Sequence, residues 1–151
     1  MKSLYNSADN QEVIDRINKL SPESKAQWGK MNVSQMLAHA DITMKSALGE
    51  IKGKRTLMGK LFGNMVKKKI TSDDTPFKQG LPTDKAFVMT GNEKNFEAEK
   101  KNLIASVEKI GRVGANGVSK DPHPFFGEMT PQQWDVLIWK HLDHHLRQFG
   151  V

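Results

Sequence analysis

Residues 130–148, TPQQWDVLIWKHLDHHLRQ, hold the densest set of local signals in the chain. Thr130 reads as a helix cap, Pro131 takes the first helical position where its missing N–H is no loss, and Gln133, three residues after the cap, can return a hydrogen bond. Trp134, Ile138, Leu142 and Phe149 then recur at helical spacing, which predicts an amphipathic helix running nearly to the C-terminus. Three of the five histidines lie inside it: His141, His144 and His145. With His141 at about 0° on a helical wheel, His145 falls near 40°, His144 near 300° and the apolar set at roughly 20–100°. His145 therefore faces the core, His141 borders it, and His144 points to a polar boundary with Lys140, Asp143 and Arg147.

Working outward, the rest of the chain also reads as helices. Asp9 with Glu12 resembles a capping box, and Val13, Ile14, Ile17 and Leu20 continue it until Ser21-Pro22. A short turn is expected from Pro22 to about Trp28, with Ser21 as its cap. Asn32 with Gln35 opens a second long helix whose stripe is Val33, Met36, Leu37, Ala40, Met44, Ala47 and Leu48, ending near Gly49 or Gly53. Thr56 to Ile70 predicts an amphipathic basic helix, and Phe96, Leu103, Val107 and Ile110 mark another long one that Gly111 can terminate. Residues 71–92 and the glycine-rich run before His123 read as connections, the first long enough to cover a site. No segment alternates well enough for a strand. The expected fold is all-α: four main helices in a bundle, with an extra amphipathic helix and long loops.

A chain of 151 residues, of which 37% are hydrophobic, is the size of one domain, spanning 1–151, and is apolar enough to fold. No stretch reaches the ~18 apolar residues of a bilayer span, and MKSLYNSADNQE lacks the apolar stretch of a signal peptide, so a cytoplasmic location is expected. The absence of cysteine excludes disulfide scaffolds, thiolate metal sites and cysteine nucleophiles. Any metal must be held by His, Asp or Glu, and a thiol would have to arrive with the substrate. There is no serine elbow, phosphate-binding glycine loop or paired-carboxylate arrangement.

Histidines at i and i+4 place two imidazoles on one helix face, close enough for both to reach one metal. His39, on the second helix, borders the arc of Met36, Ala40 and Ala47 and can turn inward as a third ligand. Three neutral imidazoles from two helices leave open positions, as a catalytic metal site requires. The same residues are compatible with hydrogen-bonded boundary histidines that hold nothing.

The runs WGKMNVSQMLAHA (28–40) and HPFFGEMTPQQWDVLIWKHLDHHLRQ (123–148) resemble the DinB/YfiT superfamily of four-helix metalloproteins, and a small DinB-like subfamily most closely. The most specific parts are Gln-Met-Leu-x-His on the second helix, HPFFGEMT before the last helix and H-x-x-H-H-x-x-Q within it. The resemblance implies one divalent metal (zinc, nickel, manganese or iron) held by His39, His141 and His145, the trio that the wheels also select. It implies a small-molecule substrate and either transfer of a low-molecular-weight thiol or hydrolysis; thiol-dependent transferases, a thiol-using isomerase and proteins described as hydrolases are among such relatives. The alternative is a non-catalytic, stress-related metal- or ligand-binding bundle. His144, Asp135 and His123 are the candidates for supporting roles beside the ligands. Asp135, beside the apolar arc, can pair with a buried donor or orient a ligand imidazole; the duller readings are a first-turn acid for Asp135, a surface position for His144, and packing or capping at the last helix for His123. Phe125, Phe126, Trp134 and Trp139 read as core and loop anchors. A homodimer is compatible with all of this.

The net charge of +6 is local. Lys52, Lys54, Arg55, Lys60, Lys67, Lys68 and Lys69 fall between Ile51 and Ile70 with no acid among them, leaving the other residues near neutrality. Such a helix can bind anionic lipid or nucleic acid, can rim the pocket to attract an anionic cosubstrate, or can lay Leu57, Leu61, Phe62 and Met65 on the bundle with its lysines in water. The last reading is preferred, because the segment has no tryptophan or tyrosine to anchor at a membrane interface or stack on bases. Neither nucleic acid nor stable membrane association is expected.

Overall fold

The computed structural model describes residues 1–80 and 94–151. Much of the loop expected over 71–92, including the short apolar run at Ala86 to Met89, lies outside the described residues. Those described form five α-helices: α1 (Ser7–Asn18), α2 (Val33–Ala47), α3 (Leu57–Thr71), α4 (Phe96–Val113) and α5 (Pro131–Gln148). A short 3₁₀ turn, Gly114–Gly117, follows α4. No strand occurs among the described residues, only an isolated bridge between His123 and Gly127, so the all-α expectation holds.

Both strong start signals are realised. Asn32 and Gln35 close a capping box on α2, as Thr130 and Gln133 do on α5 with Pro131 inside its first turn. Two boundaries differ from expectation. The cap of α1 is Asn6, whose side chain accepts from the N–H groups of Ala8 and Asp9; Asp9 sits in the first turn and accepts from Ser3 N–H. Helix α4 passes through Gly111 and stops at Gly114, which takes a positive φ of 57°. Gly111 is kept small instead by Asn10, whose amide would lie 2.9 Å from a Cβ there while it donates to the Leu4 and Val107 carbonyls. The short turn expected from Pro22, with Ser21 at its start, forms but does not run on to Trp28. Ser21 and Ser24 close a local turn on each other, and the chain then runs to α5, where Gln27 N–H donates to the Gln148 carbonyl.

Helix α2 packs on α4 and α5, and α1 on the same two. Their apolar faces share one core that includes Val13, Ile17, Met36, Met44, Leu103, Ile110, Ile138 and Leu142, with Trp134 only 2% exposed. Trp134 and Trp139 are buried as anchors, and Phe125 packs edge-on to Phe126.

Helix α3 has the expected bounds but the opposite orientation. Leu57, Met58, Leu61, Phe62 and Met65 are all exposed, and its buried residues are Gly59 and Gly63. Those glycines lie against the backbone of Phe125 and Phe126, so close that a Cβ on Gly63 would stand 2.0 Å from the Phe125 carbonyl oxygen. The packing reading for the apolar stripe is therefore overturned: close backbone approach, which only glycine permits, decides which face turns inward. Both ends are fixed. Arg55 donates to the carbonyls of His123, Pro124 and Phe125, and the buried Lys140 of α5 donates to the Ile70 carbonyl.

Candidate metal centre

The packing of α2 on α5 brings His39 to His141 and His145. One nitrogen from each ring falls within 4.8 Å of the other two. His39 Nε2 and His141 Nε2 are 3.0 Å apart, and the three ring centroids are 4.6–4.8 Å from one another. Nitrogens bound tetrahedrally to one ion at about 2.05 Å would be separated by about 3.3 Å, so the trio fits a divalent ion with small movements. His39 and His145 are buried, and His141 is partly exposed as a residue although its ring Nδ1 is buried.

Electrostatics also suit a metal. Burial, reinforced by the neighbouring imidazoles, holds His141 well below the usual histidine range. Burial likewise pushes His145 down to about 3, against a smaller opposing effect of its hydrogen bond to Gln148. Neutral imidazoles with available lone pairs are the form that metals bind.

Sequence reasoning missed the residue that orients His145. Gln148 Oε1 lies 2.8 Å from His145 Nδ1, and Gln148 Nε2 donates to the Trp28 carbonyl. The amide oxygen accepts from Nδ1–H, which leaves the Nε2 lone pair of His145 for the metal. The signal is the i+3 spacing of His145 and Gln148 at the end of H-x-x-H-H-x-x-Q. Removing an outer partner of this kind lowers metal affinity by about 10–100-fold. Gln148→Ala should show that loss in competitive titration against a fluorescent chelator. Gln148→Glu, which keeps an acceptor for Nδ1–H, should lose less.

The three supporting candidates divide. His144 is buried, not on the surface as the wheel favoured: its ring stands edge-on to His145 at 5.1 Å and to Trp28 at 5.7 Å, near Phe77. The wheel could not show this because Trp28 and Phe77 come from irregular segments. Burial lowers the His144 pKa, against a raising hydrogen bond with the Phe77 backbone. His123 caps its own turn: Nδ1 accepts from the N–H groups of Phe125 and Phe126, and the ring packs on Phe126 and Trp134. Trp134 is two helical turns from His141, so His123 belongs to the packing at the start of α5. It also lines a cavity of about 230 Å³ with Ser46, Arg55 and Trp134, none of them in the trio. Asp135 touches no ligand. Its carboxylate accepts from Leu4 N–H and ties the N-terminal segment to α5, with burial raising its pKa. Of the readings of Asp135, the pairing with a buried donor is the one realised, rather than a ligand-orienting role or a first-turn dipole effect.

No described helix is long and apolar enough to cross a membrane. A family model described as "protein of unknown function (DUF1569)" matches residues 2–150. No curated protein matches the chain, and no solved structure does.

Proposed function

The chain belongs to the DUF1569 family, whose description assigns no activity, and from that premise we propose that it is a metal-dependent enzyme of the DinB/YfiT-like bundle type. It acts on a small electrophilic molecule, by transferring a low-molecular-weight thiol to it or by hydrolysing it. The observation that supports this reading is the convergence of His39, His141 and His145 nitrogens from two helices at one point. A divalent ion held there supplies a Lewis acid and lowers the pKa of a water or thiol at neutral pH.

The chain's own residues supply binding and orientation. Gln148 fixes the tautomer of His145. His144 Nδ1, on the ring beside His145, and Trp28 Nε1, on the ring beside His144, are buried without hydrogen-bond partners among the described residues. Buried polar atoms left without partners call for a ligand or water. The indole is a fixed donor for a polar group of the substrate, and His144 Nδ1 can hold or accept a proton according to its tautomer. The absence of cysteine means that no protein thiol competes with an incoming one.

The test is a screen of model esters and thiol acceptors with several low-molecular-weight thiols, using tag-free protein with and without added zinc, nickel, manganese or iron(II). Metal-dependent turnover that disappears in His39→Ala is expected. Metal binding without turnover on any substrate would favour the non-catalytic binding protein instead.

A further inference from the structure

Of the seven large apolar side chains exposed among the described residues, five lie on one helix face. Leu57 is 73% exposed, Leu61 66% and Met65 65%, and Met58 and Phe62 share their arc, about 140° wide on the wheel. The arc cannot turn inward. Gly59 and Gly63 occupy the opposite side at backbone contact with Phe125 and Phe126, and the anchors at Arg55 and Lys140 fix the rotation of the helix. Cations flank the arc and close its C-terminal end: Lys60 stands about 60° outside it, and Lys68 and Lys69 fall within it one turn beyond the apolar residues. Lys54, Lys60, Lys68 and Lys69 are exposed, and within residues 51–70 there is no acid to neutralise them. Exposed apolar patches of this kind mark interaction surfaces.

We propose that the outward face of α3 adsorbs this protein reversibly onto anionic lipid surfaces. The partner must offer an apolar medium and negative charge together. A bilayer surface does so, because a helix lying in the interface buries its apolar face about 5–10 Å deep while lysines meet the headgroups. A second copy of the chain would match the apolar arc but would set this cationic segment against its own like charges. A nucleic acid would match the lysines and leave Leu57, Leu61 and Met65 in water, with Phe62 the only aromatic of the arc to stack on a base. The surface is separate from the histidine trio, so this proposal and the enzymatic one stand or fall independently.

Co-sedimentation of the full-length protein with vesicles tests it. One set is phosphatidylcholine alone, and the other carries about 30% phosphatidylglycerol, each at low and at physiological salt. Binding to the anionic set is expected to exceed that to the neutral set by about tenfold or more and to weaken with salt. Leu61→Glu with Met65→Glu should abolish it, and Lys68→Gln with Lys69→Gln should reduce it severalfold. Both double variants alter exposed residues, and unchanged circular dichroism would confirm that they fold. Failure to bind anionic vesicles at low salt overturns the proposal, as does binding that the Leu61/Met65 variant leaves unchanged. Sedimentation velocity and duplex DNA titration cover the other occupants. Self-association or DNA binding removed by these variants, with no vesicle binding, would also overturn it.

Discussion

His39→Ala and His145→Ala are each expected to reduce bound divalent metal from about one ion per chain to a small fraction of that. Structural zinc sites with four ligands bind with about 10–16 kcal/mol, roughly 3 kcal/mol per ligand, so removing one imidazole of three should weaken binding by more than about a hundredfold. Elemental analysis of tag-free protein, dialysed against micromolar metal, reads the difference directly. His123→Ala is the matched control. Its ring packs on Phe126 and Trp134 and acts on His141 only as the last and smallest electrostatic influence, so its metal content should stay near the wild-type value. Wild-type stoichiometry in His39→Ala would refute the assignment of the site.

Acid should destabilise the metal-free protein well before ordinary carboxylates titrate. Both His141 and His145 have folded-state pKa values below that of a histidine in the unfolded chain, about 6.5, and His145 is pushed down to about 3. Above pH 6.5 both states carry neutral rings and the pair does not affect the pH dependence. Between pH 6.5 and about 3 the unfolded chain takes up protons that the folded chain refuses, so stability falls as pH falls. By pH 4.5, two units below the unfolded value, His145 alone accounts for about 3 kcal/mol, and His141 acts in the same direction. Asp135, whose burial raises its pKa, acts in the opposite sense. Urea midpoints of chelator-treated protein at pH 7.5 and 4.5 measure the drop. His145→Gln leaves Asp135 unchanged and should flatten it. Equal slopes for the two proteins would mean that the imidazoles are not held neutral by the fold.

The site was legible in the sequence to the extent that regular helices determine it. Asn32 with Gln35, and Thr130 with Pro131 and Gln133, fix the starts of α2 and α5, and counting 100° per residue from there places His39, His141 and His145 on facing sides. The wheel fails where the environment is supplied by irregular chain. His144 is buried by Trp28 and Phe77, and Asp135 by the N-terminal residues that its carboxylate holds, and neither segment has a periodicity to read. Helix α3 shows a different failure. Its stripe was read correctly as a stripe, but the direction it faces depends on two glycines, which contribute nothing to a hydrophobic pattern and allow the closest contact. The short turn at Pro22 ends early, because two serines satisfy each other there locally.

The distance along the chain between the ligands has a consequence of its own. His39 and His141 are separated by 102 residues, whereas His141 and His145 are one helical turn apart. In an unfolded chain, recruiting the distant third ligand would require closing a loop of that length, at an entropic cost of about 4 kcal/mol beyond the constant contribution. The folded chain has already closed it through the contact of α2 with α5. A nascent or denatured chain thus competes poorly for the ion, capturing it at best through the local His141/His145 pair. Metal uptake should follow folding in time, and an ion-sensitive signal during refolding would report the moment at which the N-terminal and C-terminal halves of the polypeptide meet.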